Sequence, residues 1–209
     1  MQTTPVQRTE WEKMNSTIDQ TKFEKQAIFE VSLKLLREGR FHAVPLDEIA
    51  YLANISAAMM DRIFKTREKL LEELTTVVTL QIQKELDASG QDGGSLKERF
   101  LSAWLTLYQF YIRYPDVIAF IDQFETLKKS LDPLPLKHPA TLQSLIDLVS
   151  DESFASDTPK ETLAWLLHEN ALSAAKLNMH CPSPTTPLTV AEIFWKGITA
   201  ANKIGILLK

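Results

Sequence analysis

The 209-residue chain has a single cysteine, Cys181, so it can form no internal disulfide, a usage that fits a reducing cytoplasm. It has no surplus of positive charge either: 23 Lys and Arg stand against 27 Asp and Glu, for a formal net charge of -4. Bulk electrostatics therefore do not draw it to a polyanion, and a nucleic-acid surface has to be a local basic patch. No run approaches the roughly 18 consecutive apolar residues of a membrane span. The opening MQTTPVQRTEWEKMNST has no apolar core, so no export signal is expected. No segment alternates like a strand, and with no strand there is no strand for a Gly-rich phosphate loop to follow. His180-Cys181 has no further ligands at zinc spacing. Ser56 and the histidines fall in no catalytic triad order. Neither an enzyme nor a cofactor or metal site is expected, and there are no internal repeats.

What is present is a globular composition, 44% hydrophobic and 24% charged, with apolar residues spaced by three and four. That predicts an all-α fold of about nine helices. Residues 1–20 read as a polar arm, in which Arg8 and Lys13 are offset by Glu10, Glu12 and Asp19. Helix 1 is predicted from Thr21 to Glu38, stopped by Gly39. Two short helices follow near 46–53 and 57–63, then a long one over 67–88 that ends at the glycine cluster SGQDGGS. Ser95 and Glu98 form a capping box for a fifth helix that is apolar nearly all round, as befits the middle of a bundle. Tyr114-Pro115 breaks it, and a sixth helix runs to about Lys129. A seventh covers about 140–149. Thr158-Pro159 with Glu161 caps an eighth that reaches about Met179, and a ninth fills about 188–208.

The stretch LDEIAYLANISAAMMDRIF, residues 46–64, carries the first functional signal. Ile49, Leu52, Ile55, Ile63 and Phe64 can point inward, and Ala50 is small where two short helices must cross. Asn54 tolerates the left-handed turn between them, and Ser56 can cap the second. This is a helix-turn-helix on steric grounds. Over residues 27–74 the pattern resembles the N-terminal domain of TetR-type (TetR/AcrR) transcriptional regulators: Gly39, Phe41, Ile49-Ala50, Ala53, Ile55-Ser56, Phe64 and the TREKLL run from Thr66.

The resemblance implies a homodimer whose 21–66 heads each place a third helix in the DNA major groove. Residues 67–209 would form a ligand-sensing and dimerisation domain, with 67–88 as connecting helix. Departures from the family pattern fall on the reading surface. Pro45 stands where a capping threonine is common, and Ala57, Ala58, Met59 and Asp61 stand where the family often has a basic residue, glycine, threonine and tyrosine. The phosphate anchors that remain are Arg40, Lys65, Thr66 and Arg67. Arg62 can pair with a guanine edge and Asp61 can accept from a cytosine amino group, while the alanines and Met59 can touch thymine methyls. Met60 is read either as packing or as part of an exposed Met59–Met60 patch. The function expected is a repressor bound to a palindromic operator and released by a small effector. The alternative is a dimer whose degenerate head binds a ligand or protein partner but not DNA.

The body adds two expectations. Trp104, Tyr108, Tyr111, Phe120, Phe124 and Trp165, with His168 as a polar point beside Glu169, Asn170 and Gln123, are predicted to line a pocket for an apolar or aromatic molecule. The last two helices carry smooth stripes: Leu163, Leu167, Ala171, Ala174 and Leu177 on one, Ile193, Gly197, Ala201, Ile204 and Gly205 on the other. Paired with their copies across a two-fold axis they would close a four-helix dimer seam.

Overall fold

The computed structural model describes residues 20–89, 94–130, 143–150, 159–181 and 186–207. The described residues form nine helices and no strand: α1 Gln20–Arg37, α2 Leu46–Leu52, α3 Ala57–Ile63, α4 Arg67–Ala88, α5 Leu96–Arg113, α6 Pro115–Ser130, α7 Gln143–Val149, α8 Lys160–His180 and α9 Pro187–Leu207. The all-α expectation holds. The polar arm, Thr158 and residues 140–142 lie outside the described residues. The eighth helix begins with Pro159 itself at the N-cap, without a side-chain cap.

Backbone chemistry sets the joints. Gly39 takes φ +68, which lets the chain reverse while the Gly39 and Arg40 N–H groups donate to the Leu36 and Leu35 carbonyls at 2.9 and 2.8 Å. Asn54 takes φ 58 in the α2–α3 turn. The Ser56 hydroxyl accepts from the Met59 N–H at 3.2 Å, and Thr66 repeats this at the start of α4 with Lys69. Ser95 and Glu98 close a full capping box on α5.

One continuous apolar core runs through the molecule. Ile28, Leu36, Phe41, Ile49, Met60 and Phe64 fill the space between α1, α2 and α3, and the core continues along α4 through Leu70, Leu74, Val78 and Ile82. Each such side chain contributes about 1.5–3 kcal/mol of transfer free energy. The fifth helix lies at the centre, packed against α4, α6, α7, α8 and α9. That is why Phe100, Trp104, Leu107, Phe110 and Tyr111 can all be buried although they point different ways. The first helix docks on α6, where the Gln123 amide donates to the Leu36 carbonyl at 2.6 Å and Arg37 pairs with Asp116 at 2.7 Å. Gln123 therefore ties two helices together and is not a polar point of a pocket.

Candidate functional site

The helix-turn-helix presents α3 at the surface. Ala57, Ala58, Asp61, Arg62, Lys65 and Thr66 are exposed, and Met59 is half-buried. Met60 is 0% exposed, locked among the core residues of the head. An exposed Met59–Met60 patch is thus ruled out, because Met60, about 100° round the helix from Met59, faces the core. The Arg62 guanidinium lies 2.9 Å from the Met59 sulfur, one turn back along α3. Arg40 is exposed but paired with Glu38 at 3.2 Å. Lys69 pairs with Glu72 at 2.9 Å, which raises its pKa.

Arg67 departs most from expectation. Its guanidinium turns inward, donating to the Phe41 carbonyl and, at 2.5 Å, to the Val44 carbonyl. It also lies 5.1 Å from the centre of the Phe41 ring. Burial lowers its pKa, offset in part by Glu68 beside it. A side chain read as a phosphate anchor instead fastens the α1–α2 loop to the first turn of α4. Over residues 20–66 seven basic side chains face six acidic ones, so the unit carries little net positive charge.

The aromatic cluster of the body divides into core and cavity. Tyr111, Phe120 and Phe124 are fully buried in the packed interior, and Trp165 points outward, 45% exposed. The Tyr111 hydroxyl meets His168 Nε2 at 2.5 Å in the interior, and His168 Nδ1 lies 3.3 Å from Glu169. A cavity of about 360 Å³ opens instead between α5, α8 and α9. Trp104 and Tyr108 line it from α5, Asn170, Ser173, Ala174, Leu177 and Asn178 from α8, and Pro187 and Val190 from α9. The two α5 rings stack at 5.5 Å with 9° between their planes, and the Trp104 indole N–H donates to Asn170 Oδ1 at 2.8 Å. Of the expected pocket residues, Trp104, Tyr108 and the polar Asn170 line this space. The run Asn170, Ala174, Asn178 at four-residue spacing was the sequence signal for the rest.

Burial, and secondarily Glu169, pushes the Tyr111 hydroxyl well above the ordinary tyrosine value of 10.0. A raised folded-state value means the native state keeps its proton where the unfolded chain loses it. This contribution to stability is therefore full below pH 10 and shrinks as pH rises beyond it. Urea midpoints measured from pH 7 to 11 should be flat through this group's range up to about 10 and fall above it. Tyr111→Phe should remove that part of the alkaline fall and cost about 1 kcal/mol at neutral pH, by deleting the hydroxyl that His168 meets.

The α8 stripe read as a dimer seam faces the other way. Leu167 and Ala171 are buried within the chain, and Ala174 lines the cavity. They belong to the side of α8 that packs on α5. The outer side of α8 instead shows Trp165 and Leu166, 45% and 37% exposed, while Leu177, 62% exposed, lies at the edge of the cavity. On α9, Ala191 is buried while Ile193, 63% exposed, and Gly197 lie on the outer face. The side chains of Ala201, Ile204 and Gly205 lie outside the described residues.

No family model and no curated protein matches the sequence. Solved structures do match the fold. A TetR-family transcriptional regulator from Haemophilus influenzae aligns over 85% of this chain and 98% of its own, at TM-score 0.69 and 17% identity. A TetR-family transcription regulator from Marinobacter aquaeolei aligns over 81% and 92%, at TM-score 0.65 and 18% identity. FadR from Thermus thermophilus, a TetR-family repressor solved with lauroyl-CoA, aligns over 84% and 93%, at TM-score 0.50 and 18% identity. With its capped helix-turn-helix at the N-terminus and a helical body around α5, this chain has the fold of the TetR-type transcriptional regulators.

Proposed function

We propose that the chain is a DNA-binding transcriptional regulator that works as a homodimer, a repressor whose affinity for its operator falls when a small molecule occupies the cavity beside Trp104. The observation that carries the reading is the α2–α3 unit: Asn54 turns it, Ser56 caps α3, and Met60 and Phe64 anchor it so that Ala57, Ala58, Asp61 and Arg62 face outward together. A short helix held this way can enter a major groove, and two of them about one helical turn apart on the duplex read a palindrome. Residues 20–66 then act as the reading head and α4 as the lever to the body. A ligand that prefers the spacing of the unbound dimer shifts the population away from the DNA-competent form.

The electrostatics make the test quantitative. Arg62 and Lys65 are the exposed basic side chains of α3 and its exit, while Arg40 and Lys69 already pair with neighbouring carboxylates. Four such groups per dimer give a slope of log affinity against log salt of about -4. Fluorescence anisotropy with DNA from upstream of the chain's own gene, between 50 and 200 mM salt (a range of about fourfold), measures it. Arg62→Ala should reduce the slope by about two units in the dimer and change base preference at one position of each half-site. Absence of any salt-dependent complex at the low end would favour the second reading, a head that no longer holds DNA. Asp61 at the exposed surface and the inward turn of Arg67 are the observations on that side.

A further inference from the structure

The cavity beside Trp104 has a polarity that narrows what can occupy it. No Lys, Arg, Asp, Glu or His is among its lining residues. Its polar groups are the amides of Asn170 and Asn178 and the hydroxyl of Ser173, all neutral. Because Asn170 Oδ1 already accepts the Trp104 indole N–H at 2.8 Å, what Asn170 can offer a ligand is its Nδ2–H donors. The rest of the lining is apolar: the parallel Trp104–Tyr108 pair, Ala174, Leu177 and Val190. An ionised carboxylate or phosphate placed here loses hydration with no cation to replace it. A flat aromatic ring gains a stacking attraction against an aromatic side chain beyond its area burial, which a branched or flexible aliphatic chain does not. Asn170 and Asn178 are eight residues apart on one face of α8, so their amides mark a span of about 12 Å along it.

We propose that the cavity takes an uncharged, flat aromatic molecule of two or three rings that carries a carbonyl acceptor for the Asn170 amide, and that it discriminates against acyl-CoA thioesters and free fatty acids. The assignment rests on the reading of the cavity as the effector site and adds the chemical class of the effector. Its volume of about 360 Å³ suits such a molecule.

Equilibrium dialysis of the full chain against four probes tests it: flavone, flavone-8-carboxylate, dodecanoate and lauroyl-CoA. Flavone should bind, and the carboxylate should bind at least about tenfold more weakly for want of a cation. Dodecanoate and lauroyl-CoA should not compete. Ala174→Phe should abolish flavone binding by filling the cavity, and Asn170→Leu should weaken it about fivefold by removing the donor. Asn178→Leu, half-exposed on α8, serves as the variant that the fold tolerates, and it too should weaken binding. No retention of flavone, equal affinity for its carboxylate, or displacement by lauroyl-CoA overturns the proposal. Flavone that binds as described yet leaves the operator complex unchanged would instead overturn the effector reading and leave the ligand chemistry standing.

Discussion

Gly197→Phe should leave the chain folded, convert the dimer to a monomer, and weaken operator binding at least about a hundredfold, the loss expected when two tethered heads become independent. Gly197 lies mid-way along α9 on its outward face, and a Cβ built there meets nothing within 4 Å. Within one chain the substitution is therefore free of clash. It removes the backbone-entropy penalty of a helical glycine, which amounts to about 0.5–1 kcal/mol. A chain that lives alone should become slightly more stable. A chain that pairs through this face has another helix against the smooth spot left by Gly197, and a phenyl ring there forces the two apart. Ile193, one turn earlier and 63% exposed, makes the same face apolar enough to need a cover, as do Trp165 and Leu166 on the outer side of α8. Sedimentation velocity at micromolar protein separates the two cases, and thermal melting gives the sign of the stability change. A variant that stays dimeric places the seam elsewhere than on the Gly197 face of α9.

The seam also shows what the sequence disclosed and what it withheld. The joints were legible because they depend on one or two residues with narrow conformational ranges. Gly39 and Asn54 at positive φ, Ser56 and Thr66 at helix N-caps, and the Ser95–Glu98 box all sit where their chemistry places them. So was the central position of α5, since a helix apolar on every side has to be surrounded. The faces of α8 were not legible. Leu163, Leu167 and Ala171 on one side and Trp165 and Leu166 on the other are both apolar, and periodicity alone cannot say which of them meets α5. Trp165 misled for the same reason, as an aromatic assigned to the interior by size. The cavity was half legible. Trp104 and Tyr108 were visible as excess aromatic mass, but Phe120 and Phe124 pack against each other at 5.9 Å in the solid core. Whether neighbouring aromatics enclose a space or fill it depends on crossing angles between helices far apart in sequence.

Arg67 was misread by the same route, and it yields the second large effect. Arg67→Ala should lower the stability of the chain by about 2 kcal/mol, a fall of roughly 4–8 °C in Tm for a protein of this length. A guanidinium that bonds the Phe41 and Val44 carbonyls and covers the Phe41 ring closes the loop between α1 and α2 across 26 and 23 residues of chain. Its removal leaves two partly buried carbonyls without a charged donor and frees α2, on which α3 is mounted. Operator binding should weaken through that loss of order. The salt slope should stay the same, because no contact to a phosphate disappears. Arg67→Lys should restore little, since one ammonium on a flexible stem cannot serve two carbonyls and a ring face together. A phosphate anchor would behave in the opposite way. Alanine would leave Tm unchanged and cut the slope by about two units in the dimer, and lysine would rescue it. Melting curves and salt titrations on the two variants decide between a residue that holds the head's own loop and one that holds DNA. The inward turn of the side chain towards Phe41 and Val44 requires the first outcome.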